Sequence, residues 1–217
     1  MDIKDIKLAP QGQAKIDWVR SYMPVLSSIR EDFMKRKPFA GMRIATSIHL
    51  EAKTAYLATV LKDGGAEVYA TGCNPLSTQD DVAAALSTYG VEVFARHGVN
   101  EEEYKQHLLS VLSCHPHLMI DDGGDLTSLL HGEAKEYADC LIGGAEETTT
   151  GIHRLLAREA SGELSFPMFD VNDADCKHLF DNRYGTGQST LDGICRSICS
   201  GLSGIGTGRE NTAILCG

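Results

Sequence analysis

Two adjacent acids, Asp121 and Asp122, close the apolar run HLMI and lead into Gly123-Gly124-Asp125. A single Asp at that place is an ordinary helix cap. A second acid beside it makes both harder to ionise, which asks for a reason. Such a pair can hold a metal, act as a general base or orient a sugar hydroxyl, and the residues alone leave all three open. A second acidic turn, Glu146-Glu147, runs into Thr148-Thr149-Thr150. Acids and hydroxyls at a helix start complement its dipole. Three Thr in a row are nevertheless poor helix formers, and they offer hydroxyls to a polar ligand. His49 stands just ahead of Glu51 and Lys53, and an imidazole there can carry a proton near neutral pH. Lys177 and Asp181 have the spacing of an i,i+4 ion pair. Asn182 then opens NRYGTGQS, whose two Gly interrupt regular structure in the manner of a hinge or a ligand loop.

Other chemistries find little support. Cys114-His115-Pro116-His117 is the one dense Cys/His cluster, and no second ligand pair has matching zinc spacing; no metal site is expected. There is no G-x-S-x-G elbow and no G-x-x-x-x-G-K-[ST] loop. The Gly run GLSGIGTG at 201–208 precedes an apolar segment instead of following one. A dinucleotide fingerprint needs the opposite order, so this run reads as a linker.

The elements that position these residues follow from hydrophobic periodicity. Residues 15–34 carry Ile16, Val19, Met23, Leu26, Ile29 and Phe33 at helical spacing, with Pro24 as a kink. From Met42 onward the strand-like runs MRIATSI, AEVYAT, VEVFA, HLMID, DCLIG and FPMFDV alternate with helical stretches near 52–63, 80–89, 101–113, 125–137 and 148–160. This alternation predicts an α/β fold: an open, mostly parallel sheet with helices on both faces, Rossmann-like or flavodoxin-like, preceded by an N-terminal helix. Open parallel sheets bind ligands at the carboxyl ends of their strands. His49, the Gly72–Asp80 turn, Asp122, Glu147 and Asn172 all fall just past such ends.

Composition narrows the class. The chain has 217 residues, 42% of them apolar, and a formal charge of −10, which speaks against nucleic acid or an anionic membrane surface as partner. No apolar run approaches the ~18–20 residues of a membrane span. The seven Cys lack C-x-x-C spacing, as in a reducing cytoplasm.

Five segments in order, HLEAKTA (49–55), NPLSTQDD (74–81), DDGGDLT (121–127), EETTTG (146–151) and VNDADCKHLFDNRYGTGQSTLDGI (171–194), resemble the adenosylhomocysteinase (S-adenosylhomocysteine hydrolase) family, from about Lys15 to Ile194. The resemblance implies reversible cleavage of S-adenosylhomocysteine to adenosine and homocysteine with tightly held NAD. Oxidation at the ribose 3′-hydroxyl acidifies C4′–H, the thiol at C5′ is eliminated, water adds, and the ketone is reduced back. By the same resemblance Lys177 and Asp181 contact the ribose hydroxyls, with Lys177 helping to remove the 3′-hydroxyl proton. Glu147 binds the ribose, Asp122 serves as base or base partner near C4′, and His49 is acid or base near C5′. Thr148, Thr149, Thr150 and Asn182 meet the nicotinamide end of NAD.

This chain departs from the family pattern in two places. Where many members have His-x-Thr-x-Glu it has His49-x-Glu51-x-Lys53. A Glu accepts from the adenine 6-amino group, whereas a Lys only donates, which suits the 6-keto group of hypoxanthine. Adenine is the first reading, with Glu51 taking the amino group, and the inosyl substrate is the alternative. Thr186 stands where many members have Cys, so no redox role transfers to it.

The family is two-domain and usually homotetrameric. Residues 1–190 are expected to form the substrate domain. Residues 191–217 would be a linker helix and the first strand, NTAILCG, of an NAD-binding domain, with Gly217 opening its Gly-rich turn. This length alone is expected to show no turnover. The alternative is a non-catalytic module that binds a nucleoside or a partner.

Overall fold

A proline inside a helix lacks an N–H to donate and clashes with the preceding turn, and Pro24 divides the long N-terminal run on those grounds. The computed structural model, which describes residues 1–198, has α1 (Ala9–Arg20) and α2 (Pro24–Arg36) as separate helices, the second starting on Pro24 itself. At that first position the missing N–H costs nothing. The expected kinked helix is therefore two.

Strand and helix then alternate: β1 (Arg43–Ser47), α3 (Ala52–Asp63), β2 (Glu67–Thr71), α4 (Asp80–Thr88), β3 (Glu92–Val93), α5 (Glu101–Leu112), β4 (Leu118–Asp121), α6 (Asp125–His131), β5 (Gly143–Glu146), α7 (Thr149–Ser161) and β6 (Met168–Asp170). Among the described residues these strands form one sheet in the order β3-β2-β1-β4-β5-β6. The registered pairs are parallel, with Ile44 opposite both Val68 and Leu118. Successive strand side chains point to opposite faces, and β1 supplies both cores. Ile44 joins Val68, Ala70 and the buried faces of α1, α3 and α4. Its neighbour Ala45 joins Met119, Leu126, Leu130 and α5 on the other side. The open α/β sheet covered on both faces is thus as expected.

One strand lies four residues later than its apolar letters suggest. The run DCLIG at 139–143 was expected as the fifth strand, but β5 is Gly143-Gly144-Ala145-Glu146. A Cβ on Gly144 would lie 2.6 Å from Met119 Cγ and 2.8 Å from Met168 Sδ, so the position admits only a residue without a side chain. The shift matters for function, since it makes Glu146 the last residue of the strand and puts Glu147 past it.

The chain divides into two compact units, Met1–Phe169 and a second from Asp170 onward. The second contains the short α8 (Asp175–Lys177), a π-helical segment over His178–Gln188, and α9 (Ser189–Ile198). The expected irregular loop after Asn182 is thus helical, with the wide π turn. The Gly201–Gly208 run and the expected strand at 211–217 lie outside the described residues. Among the described residues no helix is long and apolar enough to cross a membrane.

Candidate active site

The strand order reverses between β1 and β4, and at such a reversal the loops leaving the two strands part and open a crevice. His49 leaves β1 and Asp122 leaves β4, and both line a cleft of about 340 Å³ together with Cys73, Asn74, Thr148 and Thr150. His49 Nε2 stands 3.7 Å from Asp122 Oδ2. That is beyond hydrogen-bond length but close enough to tighten around a reacting group. The Cys73 thiol donates to the same Oδ2 at 3.2 Å. Burial, then the neighbouring Asp122 charge, pushes this thiol well above the ordinary cysteine range, so it is a donor and not a thiolate.

The turn after β2 orients the imidazole. Ser77 Oγ lies 2.5 Å from His49 Nδ1, and the Ser77 hydroxyl also donates to the Asn74 carbonyl at 3.1 Å. The contact pins the ring by its Nδ1 and leaves Nε2 as the nitrogen that faces Asp122. Asn74 holds the turn closed by accepting from the Leu76 N–H at 2.8 Å.

Each adjacent acid pair separates into one buried member and one less buried, and of the latter Asp122 lines the cleft. Asp121 is fully buried and accepts from Thr127 N–H and Thr127 Oγ1, both at 2.8 Å, which ties β4 to α6. Burial outweighs these bonds and raises it to about 6. Glu146 is also fully buried; its Oε1 accepts from Gly123 N–H at 2.8 Å and Thr148 N–H at 3.0 Å, and its Oε2 meets no hydrogen-bond partner. Burial raises it to about 7. Glu146 therefore clamps the two turns that flank Asp122 and Thr148. Glu147 is half-buried, with its N–H on the Asp121 carbonyl at 3.0 Å. Thr149 and Thr150 are exposed at the start of α7.

Glu51 does local work at the start of α3, where its Oε1 accepts from Lys53 N–H at 3.1 Å and Thr54 N–H at 3.2 Å. Lys53 is exposed. In the second unit Lys177 is the hub. Its ammonium donates to Asn182 Oδ1 at 2.8 Å and Asn172 Oδ1 at 3.0 Å, and it pairs with Asp181 Oδ2 at 3.3 Å. Asn182 Nδ2 donates to Asn172 Oδ1 at 3.1 Å. A π turn brings residues five apart onto one face, which is how Lys177 meets Asn182 as well as Asp181.

Four residues that the geometry brings forward, Cys73, Ser77, Glu146 and the buried Asn172, have no role assigned from the sequence. Cys73 and Ser77 were marked only by lying past a strand end. Glu146 reads as part of an acidic turn, because a strand built from glycine does not announce that it ends on this residue.

A family profile described as S-adenosyl-L-homocysteine hydrolase matches residues 1–143 and 132–201. The S-inosyl-L-homocysteine hydrolase of Methanocaldococcus jannaschii is 57% identical over 196 residues, covering 90% of this chain and 47% of that protein. The adenosylhomocysteinase of Pyrococcus abyssi is 55% identical over 195 residues, covering 90% and 46%. That of Aquifex aeolicus is 52% identical over 204 residues, covering 94% and 49%. The chain spans about half the length of the curated relatives it matches.

Proposed function

The chain belongs to the S-adenosyl-L-homocysteine hydrolase family, and from that premise we propose that it supplies the substrate-side groups for reversible hydrolysis of S-adenosyl-L-homocysteine to adenosine and homocysteine. The observation that carries the proposal is the His49–Asp122 pair in the cleft at the β1/β4 reversal. Asp122 takes the proton from C4′ of the ribose. His49, through the Nε2 that faces Asp122, takes a proton from the incoming water at C5′ and in its protonated form gives one to the departing sulfur. Lys177 and Asp181 hold the ribose hydroxyls, and Lys177 assists removal of the 3′-hydroxyl proton. Glu147 binds the ribose.

The donor set also suits the nicotinamide end of NAD. Thr148 and Thr150 bring hydroxyls to the cleft and the Thr148 side chain makes no cap bond to α7, while Thr149 and Asn182 are assigned to the same role on the family resemblance alone. These residues would hold NAD, which would supply reversible hydride exchange at C3′ and so acidify the C4′ proton that Asp122 receives. Cys73, Cys114, Cys140, Cys176 and Cys195 are free thiols, which supports a reducing cytoplasm; assembly as a homotetramer rests on the family resemblance.

A second reading, the inosyl thioether as substrate, is favoured by one feature. Glu51 Oε1 already accepts two backbone N–H groups of α3, while the exposed Lys53 ammonium is a donor that matches a 6-keto group. The test is homocysteine release, with NAD, by this chain fused to an NAD-binding domain of the same family, on adenosyl and inosyl substrates side by side. Release from the adenosyl compound supports the first reading and release from the inosyl compound alone the second. Release from neither overturns both.

A further inference from the structure

Cys73 is a half-buried thiol that the proposed reaction does not use, yet it touches one of the two groups the reaction depends on most. A ring nitrogen of His49, Cys73 Sγ and a carboxylate oxygen of Asp122 all lie within 4.8 Å of one another. Two of the separations are 3.2 Å, from Sγ to Oδ2, and 3.7 Å, from Nε2 to the same Oδ2. Ligands held at zinc distances in a tetrahedron stand roughly 3.3–3.8 Å apart. The three side chains already occupy something close to three corners of such a figure.

We propose that His49, Cys73 and Asp122 form a binding site for a thiophilic divalent cation, zinc by ligand type, with the fourth position open to the cleft. An imidazole nitrogen, a thiolate and a carboxylate form a borderline-soft set that prefers zinc to magnesium or calcium. The support behind the ligands agrees. Ser77 Oγ holds the ring by Nδ1 and leaves Nε2 free to ligate, and a metal-bound histidine usually has its other ring nitrogen held in this way. On binding, the Cys73 S–H bond breaks and an S–Zn bond forms. The proton, now shared with Asp122, passes to solvent, since a coordinating thiol is deprotonated outright. The ligands come from the ends of β1, β2 and β4, and for that reason no Cys/His spacing in the chain announces the site. Binding rests on these residues alone. Its consequence, that the cation occupies both proton-carrying groups and shuts the site, rests on the proposed function.

The chain is titrated with zinc against a chromophoric chelator, and with cobalt to read the near-ultraviolet thiolate-to-metal absorption. One equivalent is expected to bind, with magnesium unable to compete. Cys73→Ser removes the cobalt–thiolate band, and Ser77→Ala weakens zinc by about tenfold through the lost support. His49→Asn, at a side chain 51% exposed and so harmless to folding, weakens zinc by at least about tenfold, and circular dichroism checks that Cys73→Ser is folded. Cys114→Ser, at the other Cys/His cluster, leaves the band intact. Absence of binding, a band that survives Cys73→Ser, or one that Cys114→Ser abolishes overturns the proposal. Homocysteine release plays no part in this readout, so it stands or falls separately from the proposed activity.

Discussion

At the scale of single residues, the two buried acids make the fold sensitive to pH. Glu146 is raised to about 7 and Asp121 to about 6, both chiefly by burial. In the unfolded chain each titrates near the ordinary carboxylate value. Between roughly pH 4 and 7 the folded state therefore binds more protons than the unfolded state, and stability falls as pH rises through that window. Glu146→Gln keeps an acceptor for Gly123 N–H and Thr148 N–H while removing the charge. Urea denaturation should find it near wild type at pH 5 and more stable at pH 8, by an amount on the order of 2–3 kcal/mol. An equal effect at both pH values would refute the protonated Glu146. Lys53 carries the purine prediction. Lys53→Glu exchanges a donor for an acceptor and should move the ratio of adenosyl to inosyl kcat/KM toward adenosyl, by about tenfold or more for one such hydrogen bond to a charged group. An unchanged ratio would remove Lys53 from purine recognition. His49 and Asp122 were legible from residue type and place. Cys73, Ser77 and Glu146 were not, because their importance lies in contacts between turns far apart in sequence.

At the scale of elements, close approach decides what the letters do not. A Cβ on Gly12 would overlap the Asp81 carbonyl, since α1 lies directly on the start of α4. Backbone cannot yield as a side chain can. Gly12→Ala should cost about 3 kcal/mol in overpacking, against ~1 kcal/mol gained in helix propensity. The net loss of about 2 kcal/mol is readable in the urea midpoint at unchanged m-value. No loss would mean that the two helices separate freely. The helices α3, α4 and α5 were legible within a residue or so because each combines apolar periodicity with a turn on either side. β5 was not. Its Gly-Gly-Ala sequence has low strand propensity, and it is held as a strand by parallel pairing with β4, where Gly144 lies opposite Met119. The π-helical segment was hidden for a related reason. Gly185 and Gly187 read as breakers, while the network around Lys177 that accompanies the wide turn is invisible before folding.

At the scale of the whole molecule, the strand-end rule made the site readable before any distance was known. The parallel order β3-β2-β1-β4-β5-β6 puts a crevice beside β1 and β4, and the polar turns singled out in the sequence gather at that end of the sheet. The proposed reaction rests on family membership, and the cleft supplies residues chemically able to move its protons. The most direct measurement is homocysteine release by the fused protein with NAD, comparing wild type with Asp122→Asn and His49→Asn. Loss of one proton-transfer group should lower kcat by about 10²- to 10⁴-fold in each variant, with the fold retained. Rates near wild type in both would contradict the assignment of the cleft as the place where the thioether is cleaved.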